Sequence, residues 1–157
     1  MSSWQIQKAM SSAWFNTTND EVPGAPPSAN VGDSRVYQVL TDGLRPVSVD
    51  DRPSDGGTLA RHTVLQTLGG SVDLSTVEPH VTSSPRPDDA CYLICTDGLG
   101  DVVPADEIAR ILQDHQDGRA AFELWKAAIA AGGPDNITLA VIRLSTGREA
   151  AGRAAER

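Results

Sequence analysis

Short apolar runs separated by Gly-, Pro- and Asp-rich breaks divide this chain into many small elements. Trp4, Ile6, Met10, Ala13 and Trp14 recur at roughly helical spacing and predict an amphipathic helix over Ser2–Phe15. Asn16–Ser28 gathers Asn, Thr, Asp, Gly and three prolines, the composition of a loop. Val36, Val39 and Leu40 lead to Thr41-Asp42-Gly43 and then to Leu44, Val47 and Val49, which predicts two strands joined by an Asp-Gly hairpin turn. Asp50–Gly57, with three aspartates, a proline and two glycines, reads as a surface loop. Leu59, His62, Leu65 and Leu68 step by three and predict a helix over Thr58–Leu68, ended by Gly69-Gly70.

The second half is more regular. Val72–Val81 has room for one edge strand, and Ser83–Asp89 is a polar, proline-bearing turn. Cys91–Cys95 is apolar throughout, the mark of a strand buried on both faces. Pro104 opens a helix where its missing donor costs nothing, Asp106 and Glu107 suit the N-terminal dipole, and Ile108, Ile111 and Leu112 form the buried stripe. Ala120–Ala131 predicts another helix, burying Leu124, Ala128 and Ile129 and stopped by Gly132-Gly133-Pro134. Ile137–Leu144 alternates little, which predicts a central strand, and Ser145–Arg157 lacks an apolar stripe and reads as a disordered tail. The expected organisation is an N-terminal helix and loop over 1–28, one α+β layered domain over 29–144, and a tail over 145–157.

Composition narrows the class. At 157 residues the chain is long enough for one domain with a hydrophobic core, which aliphatic side chains must build because only 4% of residues are aromatic. A formal charge of −8 argues against a nucleic-acid backbone or an anionic membrane as partner. No apolar run reaches membrane-spanning length, and Met1–Phe15 lacks the plan of a signal peptide. Cys91 and Cys95, four apart on a strand, face one side about 13 Å from each other, beyond disulfide reach. Two free thiols fit a cytoplasmic location.

Candidate chemistry lies in three segments: Asn30-Val31-Gly32-Asp33-Ser34-Arg35, Cys95-Thr96-Asp97-Gly98-Leu99 and Gly133-Pro134-Asp135-Asn136-Ile137-Thr138. Each sets one aspartate in a Gly-containing turn where a strand starts or ends. Taken singly, each is equally an ordinary turn residue, Asp97 capping the segment after it and Asp135 sitting beside a locally bonded Asn136. Taken together, three such carboxylates converging would suit a hard divalent cation.

The order, wording and spacing of these segments resemble the metal-dependent serine/threonine protein phosphatases of type 2C, the PPM family, over about Ala29–Leu144. Arg61-His62 with Leu65–Gly70, and Asp101 with the Pro104–Leu112 helix, extend the likeness. The resemblance implies a partial type 2C phosphatase-like β-sandwich flanked by helices, missing its N-terminal strands. It implies Asp97 and Asp135 as ligands of one core Mn²⁺ or Mg²⁺, and Asp33 and Asp97 as ligands of a third, more weakly held ion. Arg35, Asn136 and Gly98 would support those ligands from behind, with Arg35 equally a structural salt bridge. Two such ions lower the pKa of an attacking water and neutralise charge on the entering and leaving oxygens.

The departures matter as much. The family's Asp-Gly-Met/His-Gly-Gly segment, whose aspartate bridges both core metals, has no counterpart in Met1–Ser28, and the early phosphate-gripping arginine is missing too. Asp50-Asp51 stands in place of a family Asp-His pair, and His62 is a packing or capping residue. No catalytic side chain is identifiable. The expected cofactor is Mn²⁺ or Mg²⁺ held weakly, at a single site. Three readings compete: a phosphatase of phosphoserine and phosphothreonine proteins, an inactive pseudophosphatase that binds phosphoproteins or a kinase, and a degenerate fragment with no selected activity. An unpaired sheet edge would aggregate, form a homo-oligomer, or be covered by the N-terminal segment.

Overall fold

The computed structural model describes residues 12–15, 28–53, 63–68, 77–82 and 89–144. Among these residues, seven strands and three helices follow in the order β1 (Ser12–Phe15), β2 (Ser28–Val31), β3 (Arg35–Leu40), β4 (Gly43–Pro46), β5 (His80–Thr82), β6 (Ala90–Cys95), α1 (Asp97–Gly100), α2 (Ala105–Asp114), α3 (Asp117–Ala130) and β7 (Leu139–Leu144). They form a three-stranded sheet, β1-β2-β5, and a four-stranded sheet, β4-β3-β6-β7. All described pairings are antiparallel. The α+β class expected from the sequence holds.

β6 organises the larger sheet because it is apolar on both sides. Leu93 and Cys95 join Leu99, Val103, Ile108, Ile111, Leu112, Ala120, Leu124 and Ala128 in a core shared with the three helices. Tyr92 and Ala90 point the other way, into a second cluster with Val36 and Val47. The β3–β4 hairpin turns at Thr41-Asp42, and Gly43 has φ +149°, a conformation that favours glycine. The Gln113 amide on α2 donates to the Leu40 and Thr41 carbonyls at 2.9 and 3.2 Å, fixing the turn against the helix. Arg143 of β7 donates to the carbonyls of Leu112 and His115, two acceptors that the end of α2 cannot satisfy itself.

Several expectations are corrected. Ser12–Phe15 is a strand paired with β2, not the end of a helix: the edge of β2 takes it up through backbone hydrogen bonds that outweigh a loose helical spacing. Residues 1–11 lie outside the described part. Residues 63–68 of the expected Thr58–Leu68 helix are irregular, with Leu65 and Leu68 exposed, because the Leu65 amide bonds to the Asp51 carbonyl at 2.7 Å instead of to its own turn. Residues 58–62 are not among those described. The one edge strand expected within Val72–Val81 is found as His80–Thr82, at the end of the smaller sheet, and residues 72–76 lie outside the described part. β7 is the outer strand of its sheet among the described residues, not a central one. Leu139 and Val141 pack toward the helices and Ile142 and Leu144 toward the opposite cluster, so its apolar run reports cover above and below rather than neighbours on both edges. On α3, Leu124 and Ala128 are buried as expected and Ala120 is buried with them, but Ile129 is exposed with Phe122 and Trp125. The tail over 145–157 is not described.

Cys91 and Cys95 are free thiols. Burial pushes the Cys95 thiol up to about 12, with the nearby carboxylates adding to the effect and Arg35 opposing it. A raised thiol pKa favours folding while the unfolded thiol is still protonated, so this stabilisation is present below pH 9 and is lost as pH rises toward 12. In native protein at pH 8, Cys95 should therefore resist alkylation and become labelled only in denaturant, as peptide mass spectrometry would read. Labelling of Cys95 at the same rate in both conditions would show that β6 is not the buried centre.

Candidate metal and phosphate site

Strand register brings the three aspartates to one end of the larger sheet. Arg35 lies opposite Cys95, and Cys95 lies opposite Leu139. β3 therefore starts where β6 ends and where β7 starts. Asp33 precedes β3 by two residues, Asp97 follows Cys95 by two, and Asp135 lies in the loop that enters β7. The Asp33 turn depends on Gly32, whose φ of +99° lies in the left-handed region.

Asp51 fixes that turn. Its carboxylate is buried and accepts from the Gly32 amide at 2.7 Å, from Gln66 Nε2 at 3.0 Å and from His80 Nε2 at 2.8 Å. Its own amide donates to the Gly32 carbonyl. Asn30 Nδ2 adds bonds to the Gly32 and Val49 carbonyls. Gln66 bonds in turn to both backbone groups of Glu78, so a loop expected at the surface is tied to three other segments. The expectation of a solvated Asp50–Gly57 loop fails over residues 50–53, because inward-facing charges find partners there.

The turn carrying Asp97 packs directly on the turn carrying Asp135. A Cβ on Gly98 would collide with the Asn136 carbonyl and lie 3.3 Å from that of Asp135. Thr96 Oγ1 donates to the Asn136 carbonyl at 3.1 Å and accepts from the Thr138 amide at 3.1 Å. The Asn136 amide donates to Asp135 Oδ1 at 2.7 Å. Asn136 thus meets these aspartates through its backbone.

Charge is concentrated here. Burial raises the Asp97 carboxyl above the ordinary aspartate value; Asp33 and Asp135 raise it further, Arg52 opposes them, and Asp101 adds a smaller push. Arg52, a residue sequence reading passed over, sits among these groups. Its Nη2 lies 2.9 Å from Asp33 Oδ2 and 3.2 Å from Asp97 Oδ2, and its Nη1 lies 2.7 Å from Asp101 Oδ2. Its buried Nε has no hydrogen-bond partner among the described residues. Arg35 does not reach the three expected ligands; it pairs with Asp50 and Asp101, each at 2.7 Å. Burial alone would raise Asp101, but the hydrogen bonds and charge of Arg52 and Arg35 hold its carboxyl below the ordinary value. The signal for Arg52 was present as a basic residue directly after Asp50-Asp51, yet only the folded loop shows where it points.

No protein-family model matches the chain. The sequence is 30% identical over 125 residues to the serine/threonine protein phosphatase PstP of Mycobacterium tuberculosis, covering 71% of this chain and 24% of that protein. The solved catalytic domain of PstP in complex with two manganese ions matches with a TM-score of 0.65 at 26% identity, covering 80% of this chain and 56% of that one. The PPM Ser-Thr phosphatase MsPP of Mycobacterium smegmatis, solved with cacodylate, matches in fold with a TM-score of 0.74 at 22% identity, covering 86% of this chain and 62% of that one. Fold, ordered aspartate turns and sequence together place the chain in the PPM-type serine/threonine phosphatase family. It spans about half of the solved catalytic domain of PstP and about a quarter of the full curated protein.

The donors present do not fit a metal pair of the kind PstP holds. Among the described residues, no group of three or more His, Cys, Asp or Glu side chains is arranged to hold an ion. The space between Asp33 and Asp97 is bridged by a guanidinium nitrogen. The packing of Gly98 gives a direct check on the convergence of the other two turns. Gly98→Ala should force the Asn136 segment away and cost about 1–3 kcal/mol of stability in urea denaturation; a variant as stable as the parent would show that the two turns are not in contact.

Proposed function

We propose that this chain serves phosphoserine and phosphothreonine protein dephosphorylation as a PPM-type phosphatase domain in the cytoplasm, and that by itself it is a binding module with little or no hydrolysis. The observation that carries this reading is the donor set. The turns that carry Asp33, Asp97 and Asp135 lie at one end of the larger sheet, and the carboxylates left to a divalent ion reduce to Asp97 and Asp135 once Arg52 takes Asp33. Mn²⁺ or Mg²⁺ on two carboxylates keeps most of its waters and binds weakly. An ion so held would supply Lewis acidity toward a phosphate oxygen, but among the described residues no group of three or more His, Cys, Asp or Glu side chains is arranged to hold one. The partner is a phosphorylated protein or the kinase that produces it. No described helix is long and apolar enough to cross a membrane.

A second reading is catalysis with the missing ligands supplied from outside the described residues. The 30% identity to a serine/threonine protein phosphatase and the manganese ions in the solved domain of that relative favour it. Hydrolysis of a phosphothreonine peptide in the presence of Mn²⁺, with Asp97→Ala as control, separates the two. The binding-module reading expects equal residual turnover in both proteins, together with at least about tenfold tighter binding of the phosphorylated than of the unphosphorylated peptide, measured by fluorescence anisotropy. Mn²⁺-dependent turnover that disappears in Asp97→Ala would establish the enzyme reading. Equal affinity for both peptides would end the binding-module reading.

A further inference from the structure

We propose that Arg52 is the resident cation of the Asp33–Asp97–Asp101 cluster, standing between Asp33 and Asp97 where the family resemblance puts a weakly held divalent ion, so that Asp33 is not a metal ligand in this chain. This goes beyond the reading above and holds whether or not the chain hydrolyses phosphate esters.

The geometry is that of a cation shared by ligands. One nitrogen, Nη2, contacts an oxygen from each of Asp33 and Asp97, and the neighbouring Nη1 contacts Asp101. The Arg52 side chain is only 13% exposed, and that of Asp33 only 12%. Guanidinium suits this place because it is planar, permanently charged and more weakly hydrated than an ammonium, so it gives up water at lower cost.

The position of Arg52 is enforced from behind. Asp101 offers Oδ2 to Arg52 and Oδ1 to Arg35, and Arg35 Nε is held by Asp50 at 2.7 Å. Asp50, Arg35, Asp101 and Arg52 therefore form a chain of alternating charge that ends between the two site carboxylates. Asp50 and Arg52 flank Asp51, whose buried carboxylate pins the Gly32 turn that presents Asp33. The loop that aims Asp33 is thus the loop that supplies its counter-charge.

A divalent ion entering the Asp33–Asp97 gap would have to expel the guanidinium or sit beside it. Expulsion would strand a buried positive group and break three ion pairs. Coexistence would put like charges within a few ångströms in a partly dry site. Two arginines against Asp33, Asp50, Asp97 and Asp101 still leave an excess of negative charge. An ion held by Asp135 and the Asp97 oxygen that Arg52 does not contact would leave the three Arg52 ion pairs unbroken.

Thermal melts of the whole chain with EDTA or millimolar MnCl₂, together with Mn²⁺ binding by electron paramagnetic resonance, test this for the parent, Asp33→Asn, Arg52→Gln and Arg52→Gln/Asp33→Asn. In EDTA, Arg52→Gln should melt at least about 5 °C below the parent. Mn²⁺ should raise its melting temperature more than that of the parent, and the added Asp33→Asn change should abolish that gain. In the parent background, Asp33→Asn should leave the amount of bound Mn²⁺ unchanged. An equal Mn²⁺ response in the parent and Arg52→Gln would overturn the proposal. So would a loss of Mn²⁺ binding on Asp33→Asn in the parent, a measurement that stands even if Arg52→Gln fails to fold. Neither result depends on phosphopeptide binding or turnover.

Discussion

Carboxylates gathered at one end of a sheet repel each other, and the environment of Asp33, Asp97 and Asp135 is shaped by how that repulsion is offset. The antiparallel register of β3, β6 and β7 brings their turns to a common end. Burial and the neighbouring carboxylates then press Asp97 toward its protonated form. Arg52 relieves part of the strain, and Arg35 relieves part of the charge on Asp101. An exposed arrangement of this kind would be screened and nearly neutral in energy. Here the side chains of Arg52 and Asp33 are mostly buried, so the pairing fixes where the loop lies.

The scaffold that holds the turns is hydrophobic and largely independent of the charges. β6 carries one cluster on each face, and the helices α1, α2 and α3 close one of them. Gly98 then lets the Asp97 turn lie against the Asp135 turn without a side chain between them. Asp51, placed where the resemblance expects a histidine, acts as a hub instead: it joins the Gly32 turn to Gln66 and His80. Scaffold and charge network meet at a few short turns. A change in donors can therefore alter the ion chemistry while the fold persists.

That separation explains how a chain spanning about half of a solved phosphatase catalytic domain keeps its likeness in fold. Family resemblance rests on β3, β6, β7 and the helices, which pack through the two apolar clusters. Two-metal hydrolysis in general rests on several donors acting together. Arg52 offers a different solution to the same electrostatic problem. Its permanent charge offsets part of the negative charge of Asp33, Asp97 and Asp101.

Much of this was legible in residue order. The Asp42-Gly43 hairpin, the doubly buried β6, the Pro104-led α2 and the Gly132-Gly133 stop of α3 are local signals, carried by turn chemistry and apolar spacing that act within a few residues. The three aspartate turns and their common family likeness were legible for the same reason. Other features depended on contacts between distant segments. Ser12–Phe15 is a strand because β2 offers it an edge, and residues 63–68 leave a helical spacing because Asp51 and Glu78 take their polar groups. The near-continuous apolar run of β7 reported cover on two faces but could not report its rank in the sheet. By itself the sequence determined the α+β class, the core strand and the identity of the carboxylates, because local pattern and composition suffice for those. Only the tertiary structure decided that a guanidinium lies between Asp33 and Asp97, because that depends on where a folded loop points its charge.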